Sequence, residues 1–183
     1  LDRDPGQPAV YGLAPDPQAA AADPASPSRL PKVALHGSDD VADPEDLYGR
    51  SKTLGEVLSP NALTIRTSLI GRELHHFASL LEWFMAQRGN RVRGYTRALF
   101  SGVTTNYLAR TLLALIDGHV TMAGLYHLAG ETISKFDLLS LINSAMDLRI
   151  EIEPEDGFCC DRSLAGDRFR AATGFGVPSW EVL

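Results

Sequence analysis

At 183 residues, with 44% hydrophobic and 22% charged side chains, the chain can bury a core of its own and has the composition of an ordinary globular protein. Its formal net charge of -6 argues against nucleic acid or an anionic membrane surface as partner, and no apolar run reaches the ~18 residues of a membrane span, so a cytoplasmic location is the default expectation. The two cysteines, Cys159 and Cys160, are adjacent, which suits neither a disulfide nor a zinc site; no metal is expected, and both read as small core or turn residues.

Residues 1–37 hold seven of the eleven prolines, interleaved with Ala, Asp, Ser and Gln. Proline fixes φ and donates no N–H, so this stretch reads as irregular rather than as a helix or central strand. Ser26, Ser28 and Ser38 follow no apolar β run. Beyond them, Asp43 suits a helix N-cap, Pro44 the first helical position and Asp46 the acid of a capping box. A helix over residues 44–58, ended by Pro60, is predicted. Tyr48 and Lys52 are four apart and lie on one face of it, a turn from each other. A phenol is a poor acid or base near neutral pH, and an ammonium beside it favours the phenolate. Such a pair can pass a proton to or from a carbonyl or alcohol oxygen. A solvated pair on an amphipathic helix has the same spacing.

The run Leu47-Tyr48-Gly49-Arg50-Ser51-Lys52-Thr53-Leu54-Gly55-Glu56-Val57, followed by the strand-like stretch Ala62 to Gly71, resembles the second half of an extended short-chain dehydrogenase/reductase. Within that superfamily it is similar to the dTDP-4-dehydrorhamnose reductase group of sugar-nucleotide-binding proteins. The resemblance spans residues 38–183. It implies an α/β fold, the C-terminal half of a Rossmann-like doubly wound sheet, with a small α/β substrate lobe from about residue 91 to residue 183. In the family a strand, a Gly-rich turn and a helix N-terminus receive the cofactor pyrophosphate. No G-x-x-G-x-x-G or G-x-G-x-x-G follows a strand here, so the N-terminal nucleotide-binding half is read as absent and the chain as a fragment, the product of a shifted reading frame upstream of about Ser38, or that of a gene that has lost its first half.

Further along, Leu63 to Ile70 reads as one buried parallel strand whose carboxyl end faces a ligand by the switch-point rule. Leu74, Phe77, Ala78, Leu81, Met85 and Arg88 predict a helix stopped by Gly89-Asn90, with His75 and His76 at its start as surface or capping residues. Phe77, Trp83, Phe84 and Met85 read as core. Arg91, Arg93 and Arg97 alternate with apolar positions, which suits either a strand beside a diphosphate or a charged, solvated strand edge. Thr104 or Thr105 should cap a helix carrying Leu108, Leu112, Leu115 and Ile116; Gly124 to Gly130 a strand and turn with His127 in the core; and Ser134 the next helix start. Arg149 to Glu153 alternates as an edge strand does, and Trp180 reads as packing.

The resemblance implies NADPH- or NADH-dependent reduction of a nucleotide-activated 4-keto sugar. By it, Tyr48 and Lys52 are catalytic and, with Thr67 and Ser68, meet the cofactor; Leu69, Arg93, Arg97, Ser101 and Thr104 meet the nucleotide-sugar substrate. Leu69 stands where the rhamnose-pathway reductases usually have an aromatic residue, and Ser101 to Thr105 replaces their Gly-x-Pro-Thr loop without the proline. An epimerase or dehydratase would use the same Tyr–Lys pair. A different class of reading is a non-catalytic binding or regulatory homologue; a homodimer or a partner subunit is compatible with either.

Overall fold

The computed structural model describes residues 37, 47–75 and 77–183; the expected irregular segment before Gly37, the expected caps at Asp43, Pro44 and Asp46, and His76 lie outside them. In chain order the elements are α1 (Leu47–Leu54), β1 (Leu63–Arg66), β2 (Leu69–Ile70), α2 (Leu80–Met85), β3 (Arg91–Phe100), β4 (Val103–Thr104), α3 (Thr105–Gly118), β5 (Gly124–His127), β6 (Ile133–Ser134), α4 (Lys135–Ala145), β7 (Glu151–Asp161) and α5 (Asp167–Thr173). They build a mixed α/β fold with two cores.

One core surrounds the parallel pair β1–β5, in which Leu63 to Arg66 run beside Gly124 to His127. Val103, Leu115, Leu128 and Phe169 are buried there, with Leu63, Ile65, Leu108 and Tyr126 packed against them. The other core lies in the three-stranded sheet β6-β3-β7, where β3 runs antiparallel to β6 and parallel to β7. Ile70, Trp83, Phe84, Val92, Phe100, Leu138, Leu139 and Ile150 fill it. Period-two burial along β3 turns Val92, Gly94, Ala98 and Phe100 inward and Arg91, Arg93 and Arg97 outward. Gly94 is needed on the inner face, because a Cβ there would come within 2.8 Å of both Ile152 and Phe136. α4 starts where the sequence places it: the Ser134 hydroxyl accepts from the Asp137 N–H and donates to the Asp137 carboxylate.

Several expectations are corrected. α1 ends at Leu54, well before Pro60, because Gly55 turns the chain back with its N–H on Ser51 and Lys52 carbonyls. The single strand expected through Ile70 is two: β1 stops at Arg66, and the chain bends so that the Ser68 carbonyl accepts from the Val103 N–H. β1 is also half-buried throughout rather than buried. The helix expected from Leu74 forms only from Leu80. Phe77 takes a left-handed backbone (φ 47°), and Glu73 Oε2 accepts the Ala78 N–H, which holds the approach in a loop. Leu74 and Phe77 are consequently exposed, not core, and His75 lies in the loop ahead of the helix. On α3, Leu115 is buried while Leu112 and Ile116 face solvent. Cys159 and Cys160 belong to β7, with Cys159 exposed, because that strand runs to Asp161. Arg149 has φ 59° and precedes the strand. His127, at 1% exposure, is the core histidine that its apolar strand suggests.

Candidate active site

α1 brings Tyr48 and Lys52 together as their spacing requires: the Lys52 Nζ stands 5.2 Å from the centroid of the Tyr48 ring, over its π face. No residue of α1 is buried, so packing does not hold the helix in place. A polar tether does. Just past the helix, Glu56 forms a two-pronged ion pair with Arg66 at the carboxyl end of β1, Nε to Oε1 at 2.6 Å and Nη2 to Oε2 at 2.9 Å. Both side chains are mostly buried, and the carboxylate beside it raises the Arg66 guanidinium further above its already high range. The Thr64 hydroxyl donates to the Val57 carbonyl, a second stitch between the same segments.

The carboxyl end of β1 is therefore the place to which the Tyr–Lys helix is tied, and it is also where Thr67, Ser68 and Leu69 lie. β2 pairs β4 in parallel, Leu69 with Val103 and Ile70 with Thr104. Ser101 and Thr104 are thus brought beside Thr67 to Leu69. Gly102 allows this approach, since a Cβ on it would sit 2.2 Å from the Ser68 carbonyl oxygen and 2.3 Å from the Phe100 ring. The individual hydroxyls are already engaged. Ser101, 1% exposed, accepts the Leu164 N–H at 2.7 Å, and Thr104 caps α3 through the Tyr107 N–H. The Thr67 hydroxyl points back to the Ser68 carbonyl at 3.3 Å, and Leu69 is exposed.

Arg93 and Arg97 stand on the outward face of β3, in the other sheet. Arg91 is consumed by Glu151 and Glu153 on β7, whereas no ion pair engages Arg93 or Arg97 among the described residues. Arg91 is thus part of a charged sheet surface, and Arg93 and Arg97 are exposed on the same strand. A cleft of about 290 Å³ opens just past β5, lined by Gly130, Glu131, Asp167, Arg170 and Val177 among others, and none of the predicted site residues lines it.

Sequence reasoning missed the Glu56–Arg66 tether, whose partners are ten residues apart and meet only because β1 folds back along the segment after α1. It also missed Lys135. This side chain is 2% exposed, with its Nζ 4.9 Å from the Tyr95 ring centroid and 5.4 Å from that of Trp83; burial pushes the amine down to about 8. The signal was a lysine at the first position of a helix that has an otherwise apolar inner face.

The described residues do not fit a dinucleotide on their own. The glycines with positive φ are Gly89, Gly124 and Gly174, and each either opens a strand region or closes a helix. The strand-to-helix junctions β4–α3 and β6–α4 are closed by their own side-chain caps, Thr104 and Ser134.

No protein-family model matches the sequence, and no curated protein matches it either. Solved structures do match. The dTDP-4-dehydrorhamnose reductase from Bacillus anthracis, in complex with NADP, superposes with a TM-score of 0.68 at 20% identity, over 81% of this chain and 57% of that one. A hypothetical dTDP-4-dehydrorhamnose reductase from Sulfolobus tokodaii gives 0.63 at 27% identity, over 79% of this chain and 55% of the other. The dTDP-glucose 4,6-dehydratase from Bacillus anthracis, in complex with NAD, gives 0.64 at 13% identity, over 83% and 54%. The chain thus shares its fold with part of the Rossmann-like sugar-nucleotide reductases and dehydratases of the short-chain dehydrogenase/reductase superfamily, and spans a little over half the length of the reductases it matches.

Proposed function

We propose that the chain is the proton-donating and substrate-binding part of a sugar-nucleotide reductase, acting on the 4-keto group of a dTDP-activated hexose. The observation that carries this reading is the Lys52 ammonium over Tyr48 on a helix tied by Glu56 and Arg66 to the carboxyl end of a parallel strand. In α/β sheets that end is where ligands bind. Tyr48, 43% exposed, is accessible to a substrate, and its hydroxyl would give its proton to the carbonyl oxygen as that oxygen gains charge. Lys52 stabilises the phenolate left behind. Thr67, Ser68 and Leu69 form the floor next to the reacting sugar; Ser101 and Thr104 hold that floor in shape through Leu164 and α3. Arg93 and Arg97 are the side chains suited to the diphosphate, because guanidinium matches phosphate oxygens in pairs. NADPH or NADH is the cofactor of this class, and the described residues supply no cradle for its pyrophosphate.

The test that needs no cofactor is binding. Isothermal titration of the full chain with dTDP and with a dTDP-hexose should give a saturable 1:1 isotherm, weakened about tenfold by Arg93→Ala or Arg97→Ala, in line with ~1–3 kcal/mol for a charged hydrogen bond. Tyr48→Phe should leave that binding within about twofold. Absence of dTDP binding by the unmodified, folded chain would end the sugar-nucleotide reading. The same fold without a cofactor cradle also suits a non-catalytic partner subunit, which would bind the nucleotide sugar and be indifferent to Tyr48.

A further inference from the structure

α3 has two apolar faces, of which its own fold uses one. Thr111 and Leu115 are the buried residues of the helix, and Leu108 packs against the same core. Roughly a third of a turn round the axis, Ala109, Leu112, Leu113 and Ile116 line up at helical spacing, and all four are exposed. Leu113 and Ile116 are 64% and 66% exposed, and Val120, just past the helix end, lengthens the stripe at 79%. A contiguous apolar stripe of this kind marks an interaction surface.

The charges beside the stripe identify the partner. Arg110 and Asp117 are both exposed, on one flank of it and seven residues apart. Seven residues span ~10 Å of helix, too far for the two to pair within one copy, and neither takes part in an ion pair among the described residues. Their midpoint falls between Leu113 and Ala114, at the centre of the stripe. A second α3 laid antiparallel about a two-fold axis at that midpoint brings its Asp117 level with Arg110 and its Arg110 level with Asp117. Both pairs are on the same flank, because a two-fold perpendicular to the helices keeps each flank on its own side. The same operation sets Leu113 beside its copy and Ala109 opposite Gly118, two small residues that let the helix ends approach. Parallel packing would instead oppose Arg110 to Arg110 and Asp117 to Asp117.

We propose that the outer stripe of α3 is a self-association surface, on which two copies of the chain pack antiparallel with Leu113 at the centre and two reciprocal Arg110–Asp117 pairs on the flank. This stands apart from the reductase reading, since none of these residues belongs to the Tyr48 site. One helix pair ~20 Å long is a small interface, so the dimer forms reversibly and in the micromolar range.

Sedimentation equilibrium of the full chain, from low micromolar to near-millimolar concentration, should follow a monomer–dimer isotherm. Leu113→Glu should weaken the dimer at least about tenfold, since it sets two carboxylates against each other in an apolar contact. Arg110→Asp and Asp117→Arg each convert both attractive pairs into repulsive ones, and each should weaken it about tenfold. An equal mixture of those two variants should recover the parent affinity to within about threefold, as should the double exchange Arg110→Asp with Asp117→Arg in one chain, because either restores two opposite-charge pairs. All three positions are exposed, so these variants leave both cores untouched. A chain that stays monomeric throughout, a dimer indifferent to Leu113→Glu, assembly beyond two copies, or a double exchange that stays as weak as the single ones would each overturn the proposal.

Discussion

Lys135 shows most directly how a single side chain sets a property of the whole fold. Its stem lies among Trp83, Tyr95 and the start of α4, and its ammonium rests on two aromatic faces instead of on a carboxylate. Cation–π contact of ~1–2 kcal/mol does not match the loss of hydration, which is why burial lowers the amine from its ordinary 10.5 to about 8. The unfolded chain therefore binds more protons than the folded one between pH 8 and 10.5, and stability must rise with pH across that window. The expected gain is up to about 3 kcal/mol. Urea denaturation at pH 7.5 and pH 10 should show this rise in midpoint. Lys135→Met should flatten that pH dependence and raise stability at pH 7.5; a variant no more stable than the parent and still pH-dependent would show that the cost lies elsewhere. The residue was invisible as a core member in the sequence because lysine at the first turn of a helix is ordinarily solvated. Only the meeting of α2, β3 and α4 encloses it.

At the scale of elements, α1 poses the question of what orients a helix that buries nothing. The Glu56–Arg66 pair answers it, since both charged groups are largely removed from water and each is the other's main partner. A double-mutant cycle with Glu56→Gln and Arg66→Met should return a coupling energy of about 1–3 kcal/mol. On the proposed reading, dTDP binding through Arg93 and Arg97 should persist in the same variants while any Tyr48-dependent turnover falls; equal loss of both would mean that the pair supports the whole domain rather than α1. Local patterns were readable where the chemistry is local: Ser134 and Asp137 announce α4, Thr104 caps α3, and the period of two along β3 turns its arginines outward. They failed where a contact outside the repeating pattern decides. The stripe from Leu74 has a helical period, yet Glu73 captures the Ala78 N–H and Phe77 adopts a left-handed backbone, so the turn before Ser79 never forms. The strand from Leu63 breaks because Gly102 lets β4 reach the Ser68 carbonyl, an event thirty-odd residues away in sequence.

Taken whole, the molecule has two cores of unequal reinforcement. The lobe built on β3 carries a ladder of Arg91–Leu99 against Glu151–Asp161 and a filled interior from Trp83 to Ile150. The lobe built on β1–β5 has four residue pairs and, among the described residues, no third strand. The resemblance carried by the Leu47 to Val57 run implied the architecture, and a spacing of four gave the Tyr48–Lys52 pair, but this imbalance depends on which strands find partners, and no window of sequence reports that. Native-state hydrogen exchange should separate the two: amides of Val92 and Ala98 should open only with global unfolding, and those of Thr64 and Tyr126 at a free energy lower by ~2 kcal/mol or more. Uniform protection across both ladders would show one cooperative unit.

The stitch between the lobes has a consequence of its own. Gly102 lies against Ser68, Val103 donates to the Ser68 carbonyl, and Gly130 donates to the Ser101 carbonyl, so one short stretch of chain is the seam of both halves. Fraying of the weaker half would loosen that seam on the Ser68 and Gly130 side while Ser101 kept its bonds to Leu164. The Thr67 to Leu69 stretch would then open and close against a polar platform at Ser101 and Leu164 that persists.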